Sequence, residues 1–596
     1  MVELTDIDTG STYSFCTDNV ENGSRPTEEA LKFIDDNATE IIGHFIVGFD
    51  LQALKKVYGW RPAKHIKVKD TMVMSQVLDY KRFPNGRHNL DTWGEHFGIK
   101  KPEHEDWLNY SPEMLHRCRE DVKINVKVYR QLAKELAALA ARKPLILPSL
   151  RFEHDVLHFV TEAGVKGWRF DADGAREILT KIDHDMLEIE CMIEPMLRVA
   201  VKRLDNEPKE PKWTKLGAYY ASTASYFGIN PLDGRMEIPP ICGPYNRIEF
   251  VKPDMGSIDS LKELLDSLGW VPDDWNWKKI GNEFIKGTPK LTTSSLEPLG
   301  EVGMMVDKYY TLRSRKGLLE GWLNNMRGDR VHGDCFTIAT PTGRARHAMI
   351  VNVPSVGTTY GAEIRKLWIA SEGYTIIGAD SSGNQMRAFC HYLKNDEYTR
   401  EVISGDVHTA NQNVLMEVVP TVTRKLAKPF LYAFLFGGGA EKLGLIVTGK
   451  RDSKIGKKCK DIFIEKIIGL KTLIDKITKV YNATEEQPGG AYIPALDGRK
   501  IYVDSKHKAL NYLLQSCEGV TCKAATAMCM RKLEEACIPY NPLIFYHDEI
   551  EFEVPDEFAE EARIIAKESF RDAPKIFGVE IMDGEAKIGK SWYDVH

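Results

Sequence analysis

Two carboxylates set at the ends of short strands constrain this chain more than any other feature of its sequence. The run Tyr374-Thr375-Ile376-Ile377-Gly378-Ala379 delivers Asp380, and Ser381-Ser382-Gly383-Asn384-Gln385-Met386-Arg387 then turns into a helix. Far downstream, Leu543-Ile544-Phe545-Tyr546 and Ile550-Glu551-Phe552-Glu553-Val554 flank His547-Asp548-Glu549, which reads as a hairpin with acids at its tip. Either acidic turn alone is more often a solvated loop than a metal ligand. Brought together, the two aspartates are of the ligand type that holds a pair of Mg2+ ions about 3.5–4 Å apart, the arrangement phosphoryl transfer uses to position and neutralise charge.

Between the acids lies Arg424-Lys425-Leu426-Ala427-Lys428-Pro429-Phe430-Leu431-Tyr432-Ala433-Phe434-Leu435-Phe436-Gly437. On a helix, Arg424, Lys428, Tyr432 and Phe436 recur at every fourth position, so two cations and two aromatics share one stripe. A triphosphate would meet the cations and a base the rings. A core helix with snorkelling basic residues would explain the aromatics but not the repeated spacing of the cations. Proline in a helix interior costs about 3 kcal/mol outside a first turn or kink, so a local bend is expected at Pro429.

A chain of 596 residues exceeds one hydrophobic core, and several domains of about 100–200 residues are expected. No stretch reaches the roughly 18 uncharged apolar residues of a membrane span, and the polar, acidic start after Met1 does not read as a signal peptide. The expectation is therefore a cytoplasmic protein without membrane contact. No C-x-x-C pair occurs, so the cysteines read as reduced thiols. A net charge of -6 excludes a wholly basic, histone-like binder but not local basic grooves around an acidic site. Residues 1–141 alternate β-rich runs with amphipathic helices as a small α/β domain does, and 142–149 reads as a linker. Lys450, Arg451, Lys454, Lys457, Lys458 and Lys460 form a basic run, read as a solvated helix face.

The segments around Asp380, Arg424 to Gly437 and Asp548 resemble motifs A, B and C of family A (DNA polymerase I type) DNA polymerases, in the right order. Thr342-Gly343-Arg344 resembles the family's T-G-R element, Gly405-Asp406-Val407-His408-Thr409 its G-D-x-H-T, Asn511 and Gln515 its N-x-x-x-Q, and residues 589–596 its carboxyl terminus. The likeness covers roughly residues 150–596 and is nearest to phage replicative enzymes in Tyr432 to Gly437 and Trp592 to His596. It implies a multi-domain α/β and α+β fold. A ribonuclease H-like 3′–5′ exonuclease-type domain at 1–141 would precede a right hand: thumb and start of palm at 150–330, palm with motif A at 331–400, fingers with motif B at 401–515, and palm with motif C at 516–596.

The activity this resemblance implies is template-directed extension of a primer by dNTPs, using two Mg2+ ions on Asp380 and Asp548 with Glu549 in support. His408, Arg424 and Lys428 would hold the triphosphate, and Lys428 would also protonate pyrophosphate. Tyr432 would lie beside the incoming sugar, where its hydroxyl substitutes for a missing 3′-hydroxyl, so weak rejection of dideoxynucleotides is expected. Arg344, Asn511, Gln515 and His547 would contact the primer terminus and template. Two positions depart from the pattern: Gln385 stands where the family usually has Glu, and Phe436 where it usually has the Tyr that bonds that carboxylate. Losing both partners leaves no buried acceptor unpaired. Gln is nearly isosteric with Glu, so the steric wall against a 2′-hydroxyl should survive.

Residues 1–140 resemble the family's proofreading domain in Ile41 to Asp50, Lys69 to Ser75, His88 to Gly94 and Cys118 to Val122, with Asp50 and Asp121 matching two metal ligands. Phe45 replaces the family's Asn, and Arg117 the Tyr that orients the attacking water. Residues 2–15 read as a hairpin turning at Asp8-Thr9-Gly10, which leaves the opening strand with its D-x-E motif absent. Two carboxylates cannot assemble a two-metal centre well, so weak or lost proofreading is expected. The competing reading puts Asp6 and Asp8 to work in a rearranged strand.

A catalytically silent DNA-binding protein with this fold would need damaged acids, yet Asp380 and Asp548 are intact. A single-subunit RNA polymerase is the other alternative, disfavoured by the nuclease-like domain and the T-G-R element. Residues 207–253 lie where some phage relatives carry a processivity-factor insertion. Trp213, Tyr219, Tyr220, Tyr226 and Phe227 there make a candidate sticky patch, although a structural apolar contact is the simpler role. A monomer is expected.

Overall fold

The continuous apolar run before Asp380 has the character of a strand covered on both faces, and the computed structural model places it inside a sheet. Residues 1–102, 104–106, 110–216, 218–226, 243–252, 254–280, 283–404 and 407–596 are described. Strand Tyr374–Ser381 is flanked by Glu549–Pro555 and Gly584–Gly589, and Asn541–Tyr546 adds a fourth strand beyond Glu549–Pro555. All pairings are antiparallel. Gly378 sits mid-strand because the terminal helix Trp592–Val595 lies against it: a Cβ there would come within 2.7 Å of the Val595 side chain. Trp168, Trp368 and Trp592 pack into one aromatic cluster, ring centroids 4.9 and 5.5 Å from Trp168.

Two compact units emerge: residues 1–172 with 322–596, and residues 173–321. The second contains the helices Ala172–Ile193 and Gly300–Asn324 for most of their length, tied by Tyr309 donating to Glu190 (2.9 Å) and by Lys316 with Asp183 (2.7 Å). The hairpin Trp275–Ile280 with Glu283–Pro289 belongs to it as well. Within it, Trp213 stacks on Tyr219 at 4.1 Å, so part of the aromatic patch satisfies itself; Phe227 and residues 228–242 lie outside the described residues.

The segment read as a linker is largely structural. Residues 146–149 form the first turn of helix Ile146–Lys166, Ile146 and Ser149 are buried, and Ser149 donates to Asp497. That helix stays with the first unit rather than opening the second one, because its buried Glu153 pairs with Lys523 and Arg499 (both 2.7 Å). A buried carboxylate is tolerable only with such partners.

At the amino terminus, Val2–Thr5 pairs antiparallel with Thr12–Phe15, matching the hairpin reading. Asp6 caps the turn, accepting from the N–H of Asp8 (2.9 Å) and Thr9 (3.2 Å). Strands Glu40–Gly43 and Lys67–Asp70 form a separate parallel pair. The helix Pro112–Ala140 starts on a Ser111 cap with proline in the first turn.

Burial pushes the imidazoles of His44 and His158 down to about 4. Both are then neutral in the fold, whereas the unfolded chain takes up protons below about 6.5, so the stability they contribute at neutral pH is lost as pH falls toward 4. The melting temperature should drop across that window, and His158→Gln should flatten the drop. Parallel wild-type and variant curves of Tm against pH would refute this.

Candidate active site

The hairpin tip is His547-Asp548, with Tyr546 paired to Glu549 and His547 in the left-handed region (φ 62). Two-residue loops require such geometry to match the strand twist. In the neighbouring pairing, Asp380 stands directly opposite Glu549 on one side and Glu585 on the other. The Ser381 N–H donates to the Asp548 carbonyl (3.2 Å). The two distant acids are thus brought to one end of one sheet.

Around them acids outweigh the cations, of which Lys587 bears on Asp380 and Arg344 on Asp548. Burial first, then the carboxylates of Glu585, Glu549 and Asp548, raise Asp380 to about 6. Burial, then Glu549, also raise Asp548. Glu549 Oε1 is buried without a hydrogen-bond partner, and Oε2 meets His596 Nδ1 at 3.0 Å. A small cavity of about 200 Å³ is lined by the acids Asp380, Glu549, Glu551 and Glu585 together with Lys587 and His596. Crowded carboxylates with an orphaned oxygen are what a bound divalent cation would relieve, and carboxylate oxygens are the donors hard metal ions take. Glu585 went unrecognised in the sequence, where His596 figured only as the end of the terminal segment: Glu585 lies in a short charged stretch with no motif, and only register brings it to Asp380.

The stripe forms on helix Arg424–Leu435, which continues without interruption through Pro429. Arg424, Lys428 and Phe436 are exposed and Tyr432 half-buried, while Ala427, Phe430, Leu431 and Phe434 are buried on the other side. Phe430 and Phe434 lock that face onto Phe463 of helix Ser453–Lys466, ring centroids 5.5 and 5.0 Å apart. Tyr432 and Phe436 lie nearly parallel at 6.4 Å. His408, on helix Val407–Met416, sits close enough that burial, then Lys428 and Arg424, lower its pKa. Gly405 and Asp406 lie outside the described residues. The basic run occupies largely exposed positions beside the Asp452 cap of helix Ser453–Lys466.

A third group gathers on the long helix Ala509–Glu535. Gln515 donates to Asn511 (3.1 Å). Farther along, buried Glu518 accepts from the Arg344 guanidinium and from Gln385 Nε2 (3.3 Å). His547 is lowered by burial and then by Arg344, which also bears on Asp548. Arg344, Gln385 and the acids therefore share one neighbourhood, and Glu518 is a member that sequence reading missed.

In the amino-terminal domain, Asp50 opens helix Asp50–Tyr58. Crowding by protein atoms, then Asp70 and Asp121, raise its carboxyl to about 6. Asp70 is a structural cap, accepting from the N–H of Phe45 (3.0 Å) and Met72 (2.9 Å). Asp121 is paired with the ammonium of Lys101 at 2.7 Å, which also meets Asp91 at 3.1 Å. Arg117, at the family's Tyr position, donates to the Pro102 carbonyl (2.6 Å).

The family model for DNA polymerase family A matches residues 254–594. The chain is 25% identical to the DNA-directed DNA polymerase of Enterobacteria phage T3 and 26% identical to that of Escherichia phage T7, in each case over 89% of this chain and 86% of the relative. It is 26% identical to the thermostable DNA polymerase I of Thermus aquaticus over 57% of this chain and 42% of that protein. Its fold resembles the POL domain of Pol1 from M. smegmatis, solved in complex with DNA primer-template and dNTP (TM-score 0.65, 16% identity, 90% of this chain and 84% of that one). Because the family model spans more than half the chain and the phage relatives nearly all of it, this chain belongs to DNA polymerase family A.

Proposed function

We propose that the chain extends a primer 3′ end along a DNA template, with Asp380 and Asp548 holding two Mg2+ ions. The observation that carries this reading is the register that sets Asp380 opposite Glu549, beside Asp548, in a cluster where carboxylates outweigh the neighbouring Lys587. When bound, the ions would supply Lewis acidity at the primer hydroxyl and charge neutralisation at the departing pyrophosphate. The primer 3′-oxygen bonds to the α-phosphorus as the bond to pyrophosphate breaks. Arg424, His408 and Lys428 hold the triphosphate, and Lys428 gives pyrophosphate its proton. Tyr432 lies along the sugar and Phe436 beside the base, while Gln385 walls off a 2′-hydroxyl. Arg344, His547, Asn511 and Gln515 grip the primer terminus and template. Primer-template DNA and dNTPs are the partners, in the cytoplasm of a phage host.

Proofreading is weak or lost in this reading. The Lys101 ammonium on Asp121 competes with a cation there, and Asp6 is occupied in its own turn. Purified protein should lengthen a primed template with dNTPs far better than with NTPs, and should leave a mismatched primer intact when nucleotides are withheld. Failure to extend would sink the polymerase reading, NTP preference would favour an RNA polymerase, and brisk primer shortening would overturn the loss of proofreading.

A further inference from the structure

The position at which this chain lacks the family's carboxylate is not without one. Gln385 occupies the first turn of helix Asn384–Leu393, just after the Asp380 strand. Its amide N–H donates to Glu518, which reaches it from the long helix Ala509–Glu535 and is 1% exposed. The second oxygen of Glu518 accepts from Arg344, so a charge that would be costly to bury alone is paired. Glu518 shares a helix face with Gln515 and Asn511, three and seven positions earlier. The same helix holds the backbone beneath Arg344, because Lys523 donates to the Gly343 carbonyl (2.8 Å).

We infer that Glu518 is a positioning residue that replaces the displaced carboxylate. It fixes the Gln385 amide as the wall beside the incoming sugar and, through its other oxygen, aims Arg344 at the primer terminus. The inference rests on the polymerase reading. A glutamine side chain without such a partner has several rotamers and two amide orientations, so a wall made of it would leak. An acceptor on Nε2 selects one orientation and turns the amide oxygen away from Glu518. The link also joins two checks that would otherwise be separate, sugar identity at one oxygen and primer pairing at the other.

The test uses the full chain with Glu518→Ala, Glu518→Gln and the exchange Gln385→Glu/Glu518→Gln. Matched-primer extension with dNTPs is measured first, and its absence in the wild type would indict the polymerase reading rather than this one. Glu518→Ala should lower the dNTP-over-NTP preference about 10-fold or more, the scale of one charge-assisted hydrogen bond, and ease extension from a mismatched primer. Glu518→Gln keeps an acceptor for Gln385 but loses the charge that holds Arg344, so it should spare sugar selection while still easing mismatch extension. The exchange, which returns a carboxylate to position 385 opposite an amide, should likewise retain sugar selection. A structural role alone would move the melting temperature and neither selectivity. If Glu518→Ala does not fold, the other two variants decide the matter. Unchanged mismatch extension in Glu518→Gln, or lost sugar selection in the exchange variant, would overturn the inference.

Discussion

Asp380→Ala should eliminate primer extension, by about 10³-fold or more, while leaving the fold and primer-template binding in place. The expected loss corresponds to about 4 kcal/mol of transition-state stabilisation, which is reasonable for a group that positions metal ions between reacting oxygens. The carboxylate it removes faces Glu549 and Glu585 across two strand pairings, and burial with those acids raises its pKa to about 6. Deleting one member of a like-charged cluster relieves repulsion, so the metal-free variant should melt no lower than the wild type. Adding Mg2+ should raise the wild-type Tm and leave Asp380→Ala and Asp548→Ala nearly unmoved. Chelation should reproduce the catalytic defect. Retained extension by either variant would break the assignment of the two aspartates.

Lys428→Met should lower kcat by about 10²–10⁴-fold, the range for removing a general acid, with a smaller effect on primer-template affinity. Lys428 is exposed one helical turn after Arg424, and both bear on the neighbouring His408. Replacing the ammonium removes a proton donor and a phosphate contact, whereas Arg424→Met removes a contact alone. The two variants should therefore separate: Arg424→Met weakens nucleotide binding, and Lys428→Met also lowers kcat at saturating nucleotide. Lys428→Arg, which keeps charge but holds its proton too tightly to donate, should resemble Lys428→Met in kcat. A Lys428→Met enzyme turning over at the wild-type rate would remove it from the chemistry.

The parts of the site that were legible in sequence share a local signature. The apolar run before Asp380 and the alternation around Asp548 are strand patterns, and the four-residue recurrence of Arg424, Lys428, Tyr432 and Phe436 is a helix pattern. Each follows from backbone periodicity and needs no knowledge of distant neighbours. Glu585, Glu518 and Lys101 were invisible because nothing nearby marks them. Glu585 matters through strand register with Asp380, Glu518 through side chains that arrive from Gln385 and Arg344, and Lys101 through its pairing with Asp121. The linker reading at 142–149 failed for a related reason. Its polar start and two prolines describe an exposed turn, but Ile146 and Ser149 are buried by a helix whose partners lie hundreds of residues away.

By itself the sequence determined the strands that carry Asp380 and Glu549, the helix that carries Arg424, Lys428 and Tyr432, and the hairpin of residues 2–15. Tertiary structure alone decided how those residues are charged and held: that Asp380 gathers three more carboxylates, that Gln385 leans on Glu518, and that Asp121 answers to a lysine. Secondary structure is written in periodicities a few residues long, whereas the electrostatics of a site sum over whatever the fold brings within reach.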